Sequence, residues 1–167
     1  MNWFFITLGY SGLLTKAPGT VGSFVALLLG IPILAYGGSQ TLFLASILIT
    51  IIAVKSINKY ERATNTHDDK RIVIDELAGM WIALSIAPGT TMPLEYIGDF
   101  KNGFLLQSIL SFLLFRYFDI TKPSIIGRID KKVKGGIGVM GDDVIAGFAA
   151  GILTAALWQL LIVKFLL

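Results

Sequence analysis

The sequence predicts an all-α fold: a polytopic membrane bundle of about five membrane-embedded helices after a short N-terminal segment, forming one domain over residues 1–167. Three observations predict it. Hydrophobic residues make up 54% of the 167 positions and charged residues only 15%, with a mean hydropathy of +0.75. A soluble protein of this size must cover its surface with more polar side chains than that. The apolar residues also fall into five helix-sized runs separated by polar or Gly/Pro-containing stretches. Finally, the cationic residues are sorted between the two ends of those runs, as membrane topology demands.

Residues 2–14 are aromatic and apolar but too short to span a bilayer, so they should lie in the interface or pack on the bundle. Pro18-Gly19-Thr20 reads as a helix start with Thr20 as N-cap. The first apolar helix is expected over 21–36, a tight turn at Gly37-Gly38-Ser39, and the second helix over 40–54 with a polar continuation from Lys55. The third is expected over 72–87, a connection over 88–103, the fourth helix over 104–118, a polar stretch over 119–142, and the fifth helix over 144–163. No positively charged region precedes the first apolar residues, so no cleaved signal peptide is expected.

Orientation follows from the basic residues. Lys16, Lys55, Lys59, Arg62, Lys70, Arg71, Arg116, Lys122, Arg128, Lys131, Lys132 and Lys134 fall on one side, against Lys101 and Lys164 on the other. The positive-inside rule makes the first side cytoplasmic, with the N-terminus inside and the C-terminus outside. A net charge of +3 then reflects loops facing anionic lipid, and gives no reason to expect nucleic acid as a partner. The absence of cysteine excludes thiol nucleophiles, disulfides and thiolate metal sites. A single histidine, His67, excludes His-rich zinc sites and disfavours a Ser-His-Asp triad.

That topology gathers polar residues at one rim. Thr20 and Ser23 open the first helix, and Asp75 and Glu76 open the third. Arg116, Asp119 and Lys122 close the fourth, and Asp142 and Asp143 precede the fifth. Only Glu95 and Asp99 among the acidic residues lie at the opposite face. An ionised side chain in an apolar segment is costly unless paired, metal-bound or near water. Hard oxygen ligands in excess, without thiolate or a histidine cluster, suit Mg²⁺, which is commonly completed by water and substrate phosphate. Arg116, Lys122 and Arg128 could clamp a phosphate, and Gly135-Gly136-Ile137-Gly138 could let backbone approach one.

Each piece has a plainer reading. Asp142-Asp143 could be a helix cap, Arg116 and Asp119 an ordinary i, i+3 pair, and Thr20 and Ser23 a cap as well. Lys131, Lys132 and Lys134 read as a lipid-headgroup patch, His67 as a solvated loop residue and Asp130 as a loop residue. Adjacent Asp75 and Glu76 fit such readings worst, because a cap needs one carboxylate. Co-location at four helix ends tips the balance toward a site.

The blocks Pro18-Gly19-Thr20-x-Gly22-Ser23, His67-Asp68, Asp75-Glu76-x-x-Gly79-Met80-Trp81, Phe115-Arg116-x-x-Asp119-x-x-Lys122-Pro123, Asp130 and Gly135-Gly136-x-Gly138-x-Met140-x-Asp142-Asp143-x-x-Ala146-Gly147 stand in this order. As a set they resemble phosphatidylglycerophosphatase A, a bacterial membrane lipid phosphatase, over nearly the whole chain. Ile125 stands where that family often has a second proline. The resemblance implies Mg²⁺-dependent hydrolysis of phosphatidylglycerophosphate to phosphatidylglycerol and phosphate by a multi-pass protein of the bacterial inner membrane. Its acidic residues fall on Asp75, Glu76, Asp119, Asp142 and Asp143.

The chemistry expected of these residues is specific. Asp75, Glu76, Asp119, Asp142 and Asp143 are the candidate metal ligands, with Asp75, Glu76, Asp119 and Asp143 catalytic and Glu76 the candidate base. Thr20, Ser23, Arg116 and Lys122 would bind the substrate phosphate. Direct attack by water is preferred to an aspartyl-phosphate route, since no Asp-x-Asp nucleophile motif is present. Two other classes fit less well. A lipid phosphotransferase would carry an Asp-Gly-x-x-Ala-Arg pattern, which is absent, and a cation transporter would place its carboxylates near mid-span.

Overall fold

The computed structural model describes residues 3–67, 69–87 and 103–165, with side chains described up to residue 160. All regular elements among the described residues are helical, in the order α1 (Trp3–Ile6), a 3₁₀ turn (Ser11–Leu13), α2 (Pro18–Thr64), α3 (Ile74–Ile86), α4 (Phe104–Thr121), α5 (Ile125–Lys132) and α6 (Gly136–Phe165). The expected connection over 88–103, with Glu95, Asp99 and Lys101, lies outside the described residues except for Gly103, as do Asn2 and Asp68.

α2 is two arms joined at Gly38, whose φ of 75° and ψ of 173° no helix contains. A residue with a side chain strongly disfavours positive φ, so the glycine permits the break. The arms run in opposite directions along α3. Gly22 packs on Val73 and Gly30 on Trp81 and Leu84, so the first arm is parallel to α3. Phe43 and Leu44 then lie beside Ser85 and Ile86, while Tyr60 reaches back to hydrogen-bond Asp69 at 2.7 Å. The expected turn at Gly37-Gly38-Ser39 is therefore present. The polar continuation from Lys55 is helical as far as Thr64.

α3 is the centre of the bundle. From Ile74 to Leu84 all but Asp75 is buried, and the helix packs on α2, α4 and α6. Its crossing with α6 is very close: a Cβ on Gly79 would stand 2.5 Å from both the Asp143 carbonyl and the Phe115 ring, and one on Gly147 would collide with the Gly79 backbone. Two glycines at one crossing let helix backbones approach far closer than larger residues allow. This contact sets Asp75 and Glu76 against Asp142 and Asp143.

The outer surface is apolar. Phe24, Leu28, Leu44, Leu48 and Ile51 on α2, Leu106, Ile109 and Leu113 on α4, and Ile152 and Leu160 on α6 are exposed. So large an exposed apolar area marks a lipid-facing belt. Three described helices are long and apolar enough to cross a membrane: α2, α4 and the 136–160 part of α6. The five expected helical arms are present, but five membrane crossings do not follow from them. At 1.5 Å per residue α3 is only about 20 Å long, short of a ~30 Å hydrocarbon core. It is a buried central helix.

The N-terminal segment packs on the bundle. Ile6 is buried and its carbonyl accepts a hydrogen bond from the Val73 amide at 3.0 Å, just before α3 begins. Trp3 stacks on Tyr60, and Arg71 lies over the Trp3 ring at 5.1 Å. Asp69 receives hydrogen bonds from Arg71 and Tyr60. The Arg71 bonds outweigh partial burial and hold the Asp69 carboxyl well below the usual carboxylate range.

Three expectations about element ends need correction. Thr20 is not an N-cap: Ala17 occupies that position with Pro18 as the first helical residue, and Thr20 is exposed within the first turn. α6 begins at Gly136, so Asp142 and Asp143 sit in its second turn and cap nothing. The Gly135–Gly138 stretch is not a loose phosphate loop. The Gly136 amide is bonded to Asn58 Oδ1 at 2.8 Å and the Gly138 amide to the Gly135 carbonyl at 2.9 Å, so these donors are occupied.

Candidate active site

The site forms where four helices meet at one rim. The start of α2 brings Gly19, Thr20 and Ser23, and α3 brings Asp75 and Glu76. The end of α4 brings Arg116, Asp119 and Lys122, and the second turn of α6 brings Asp142 and Asp143. All nine sequence-predicted residues lie at this rim. A cleft of about 620 Å³ opens between them, lined among others by Thr20, Asp75, Glu76, Arg116, Asp119 and Lys122.

Two cations organise the carboxylates. Arg116 forms an ion pair with Asp119 one turn along α4, reaches Ser23 Oγ at 3.3 Å, and lies 4.0 Å from Glu76 Oε1. Ser23 is fully buried and gives its own proton to the Gly19 carbonyl at 2.8 Å, so its oxygen is turned to accept from Arg116. Gly19 has no side chain for a reason visible here: a Cβ would run into the Glu76 carboxylate and the Arg116 guanidinium. Lys122 bridges Asp130 and Asp142, the latter at 2.7 Å. Burial alone would lower its pKa, but the hydrogen bonds to the two carboxylates outweigh that and hold the ammonium charged. The residue also ends α4 in the left-handed region at φ 44°, an uncommon conformation for a side-chain-bearing residue.

Other carboxylate oxygens at the rim have no hydrogen-bond partner. Asp75, Glu76 and Asp143 each present an oxygen within 4.8 Å of the others. Glu76 is 8% exposed, Asp142 5% and Asp143 3%. Asp75 Oδ1, Glu76 Oε2, Asp142 Oδ1 and Arg116 Nε are buried without a hydrogen-bond partner. Buried polar atoms are almost always satisfied, so a group of converging bare acceptors calls for a cation. The free Arg116 N–H calls for an anion. Chemically the donor set fits a hard divalent ion: oxygen ligands only, close enough to share one centre.

Two residues come out differently from the sequence expectation. Asp130 is not a loop residue; it lies on α5 and holds Lys122. His67 is not merely solvated. Its Nδ1 lies 2.7 Å from Glu61 Oε1, and the ring lines a small chamber beside the cleft. Chain closure between the end of α2 and α3 creates that pairing, and sequence spacing carries no signal of it. Arg128 is exposed on α5 and does not line the cleft.

A polar cleft with paired cations and bare carboxylates opens at the rim of an apolar helical bundle, an arrangement chemically suited to an anionic headgroup. The family model for phosphatidylglycerophosphatase A matches residues 4–158. A phosphatidylglycerophosphatase A of Haemophilus influenzae is 33% identical over 90% of this chain and 85% of its own length. The Escherichia coli protein of the same name is 33% identical over 90% of this chain and 81% of its own length. A Bacteroides thetaiotaomicron protein, provisionally named a phosphatidylinositol-3-phosphatase, is 34% identical over 87% and 86%. No solved structure matches the chain. The chain belongs to the phosphatidylglycerophosphatase A family, and is a hydrolase of the lipid phosphatase class.

Proposed function

We propose that the protein hydrolyses phosphatidylglycerophosphate to phosphatidylglycerol and inorganic phosphate, with Mg²⁺, at the cytoplasmic face of a bacterial inner membrane. The observation that carries this reading is the Asp75–Glu76–Asp143 cluster, in which Asp75 Oδ1 and Glu76 Oε2 are bare, set against a partly unpartnered Arg116 in one cleft. The family relatives named for this activity support the substrate. The cytoplasmic assignment rests on the basic residues clustered on the site's side of the chain.

Asp75, Glu76 and Asp143 would hold the metal, with Asp142 and Asp119 beside them. When bound, the ion would neutralise phosphate charge and make a water more acidic. The protein's own groups do the rest. Arg116, fixed by Asp119 and Ser23, offers its guanidinium to the phosphoryl oxygens, and Lys122 adds a second positive charge. Both are positioned beforehand, which is what electrostatic stabilisation of the transition state requires. Thr20, exposed at the cleft mouth, can donate a further hydrogen bond to the phosphate. Acyl chains remain beside the apolar belt, so the lipid reacts without leaving the bilayer.

The test is phosphate release in detergent micelles, from phosphatidylglycerophosphate and from phosphatidylinositol 3-phosphate, with Mg²⁺ and then with EDTA. Release from the first lipid that EDTA abolishes and Mg²⁺ restores is the expected result. Preference for the inositol lipid would transfer the headgroup assignment to that of the Bacteroides relative. Absence of release from either would overturn the phosphatase reading.

A further inference from the structure

We infer that His67, oriented by Glu61, takes the proton from the attacking water, an inference that rests on the phosphatase reading above. The large cleft has a side chamber of about 50 Å³. His67, Asp75, Lys122, Asp130, Gly138 and Asp142 contribute to its walls. Asp75 and Lys122 also line the 620 Å³ cleft, so they form the boundary between the two spaces. The chamber is polar and has room for a few water molecules. Only the cleft can take a lipid headgroup.

In-line displacement at phosphorus puts the nucleophile and the leaving oxygen on opposite sides. A phosphate held at the Asp75–Lys122 boundary, with its lipid glycerol in the cleft, turns its other side to the chamber. Water stored there is then the nucleophile. The chamber's other charged groups are committed, since Lys122 is bonded to both Asp130 and Asp142 and Asp75 belongs to the proposed cation site. His67, the chain's only histidine, is not. Its Nδ1 faces Glu61 Oε1 at 2.7 Å, which favours the tautomer that donates Nδ1–H to the carboxylate and leaves a lone pair on Nε2. No described residue pairs with Nε2. The ring is 51% exposed, so a proton taken from the chamber has a route to solvent.

The step balances. The water oxygen forms a bond to phosphorus as the bond from phosphorus to the glycerol oxygen breaks, and the water proton moves to His67 Nε2. The leaving oxygen takes a proton from a water in the cleft, and the hydroxide so formed is neutralised by the proton that His67 gives back. Ester and water give alcohol and phosphate. This moves the base from Glu76, which lines the headgroup cleft, to His67. Glu61 is a positioning residue that acts through the imidazole.

The experiment uses the full chain in detergent micelles, with phosphatidylglycerophosphate and phosphatidylinositol 3-phosphate as substrates and Mg²⁺ present. His67→Ala should lower kcat by about 10²- to 10⁴-fold, the usual worth of a positioned base. Its KM should stay within about threefold, since the loss falls on the chemical step. Added imidazole should restore part of the rate in His67→Ala and none in Asp75→Asn. Glu61→Gln should lower kcat by about tenfold, with Glu61→Asp recovering most of it. A His67→Ala enzyme with wild-type kcat, a loss expressed only in KM, or no response to imidazole would overturn the inference while wild-type turnover leaves the phosphatase reading intact. Failure of the wild-type chain on both lipids would overturn the two together.

Discussion

The two faces of α3 show how one short helix serves two purposes. One face carries Asp75, Glu76 and Gly79, and meets α6 almost backbone to backbone. The other carries Ile74, Leu77 and Trp81, and with Phe4, Phe5, Leu29 and Ile49 lines an apolar groove of about 390 Å³. On the first face the contact is made by main chain and has no slack. On the second, larger side chains meet across open space, and Trp81 Nε1–H donates to the Ala26 carbonyl at 2.8 Å. Rigid contact is found where carboxylates must converge, and adaptable packing where only apolar area must be covered.

That contrast should survive mutation in a definite order. Asp75→Asn removes a charge from the cluster and should cost about a thousandfold in phosphate release, the scale of losing a preorganised electrostatic group. The protein should still insert and purify as a folded species, which circular dichroism in detergent checks. Gly79→Ala inserts a methyl group into a space bounded by the Asp143 carbonyl and the Phe115 ring. We expect about a hundredfold lower activity, because misplacement of the reacting groups by about 1 Å has that cost. Overpacking should also remove about 1–3 kcal/mol of stability, read by thermal unfolding.

On the opposite face the same assays should separate. Trp81→Phe keeps an aromatic ring but truncates the indole and loses the bond to Ala26, costing about 1–3 kcal/mol of stability. Its activity should remain within about twofold of wild type. A large activity loss there would break the division of roles between the faces. The smallest effect belongs to Asp69, away from both. Its carboxyl is held below its ordinary pKa by Arg71. Its contribution to stability is therefore present above the unfolded carboxylate value of 3.8 and is lost as pH falls below it. Asp69→Asn should flatten the acid side of a Tm-against-pH curve and leave neutral-pH activity unchanged.

The site was more legible in the sequence than the elements that build it. Asp75 and Glu76 stood out because carboxylates in an apolar run are expensive, and the topology then predicted that Arg116, Lys122 and Asp142 would share their rim. Gly38 was legible as a reversal because only its neighbours in the chain set it. The start of α6 was not, because Gly135, Gly136 and Gly138 read locally as loop. In fact Asn58 from α2 holds the Gly136 amide and the Gly136 backbone packs on Val54, so tertiary contacts override weak helix propensity. α5 was hidden in the same way: eight residues in a polar stretch carry too little pattern, and its Asp130 gains meaning only through Lys122. His67 reads from the sequence only as a solvated loop residue, because its partner Glu61 and its chamber are assembled by chain closure. Five membrane helices are not confirmed: three described helices are long and apolar enough to cross, while α3 is apolar as a core helix is, at two-thirds of the length a span requires.

The proposed chemistry requires a divalent-cation site made by Asp75, Glu76 and Asp143 together. Titration of Mn²⁺ into the detergent-solubilised wild-type chain and into Asp143→Asn, followed by electron paramagnetic resonance of the free ion, tests it without relying on turnover. Saturable binding that Mg²⁺ displaces is expected in the wild type, weakened by about tenfold or more in the variant. Equal binding by the two proteins, or none by the wild type, would contradict it.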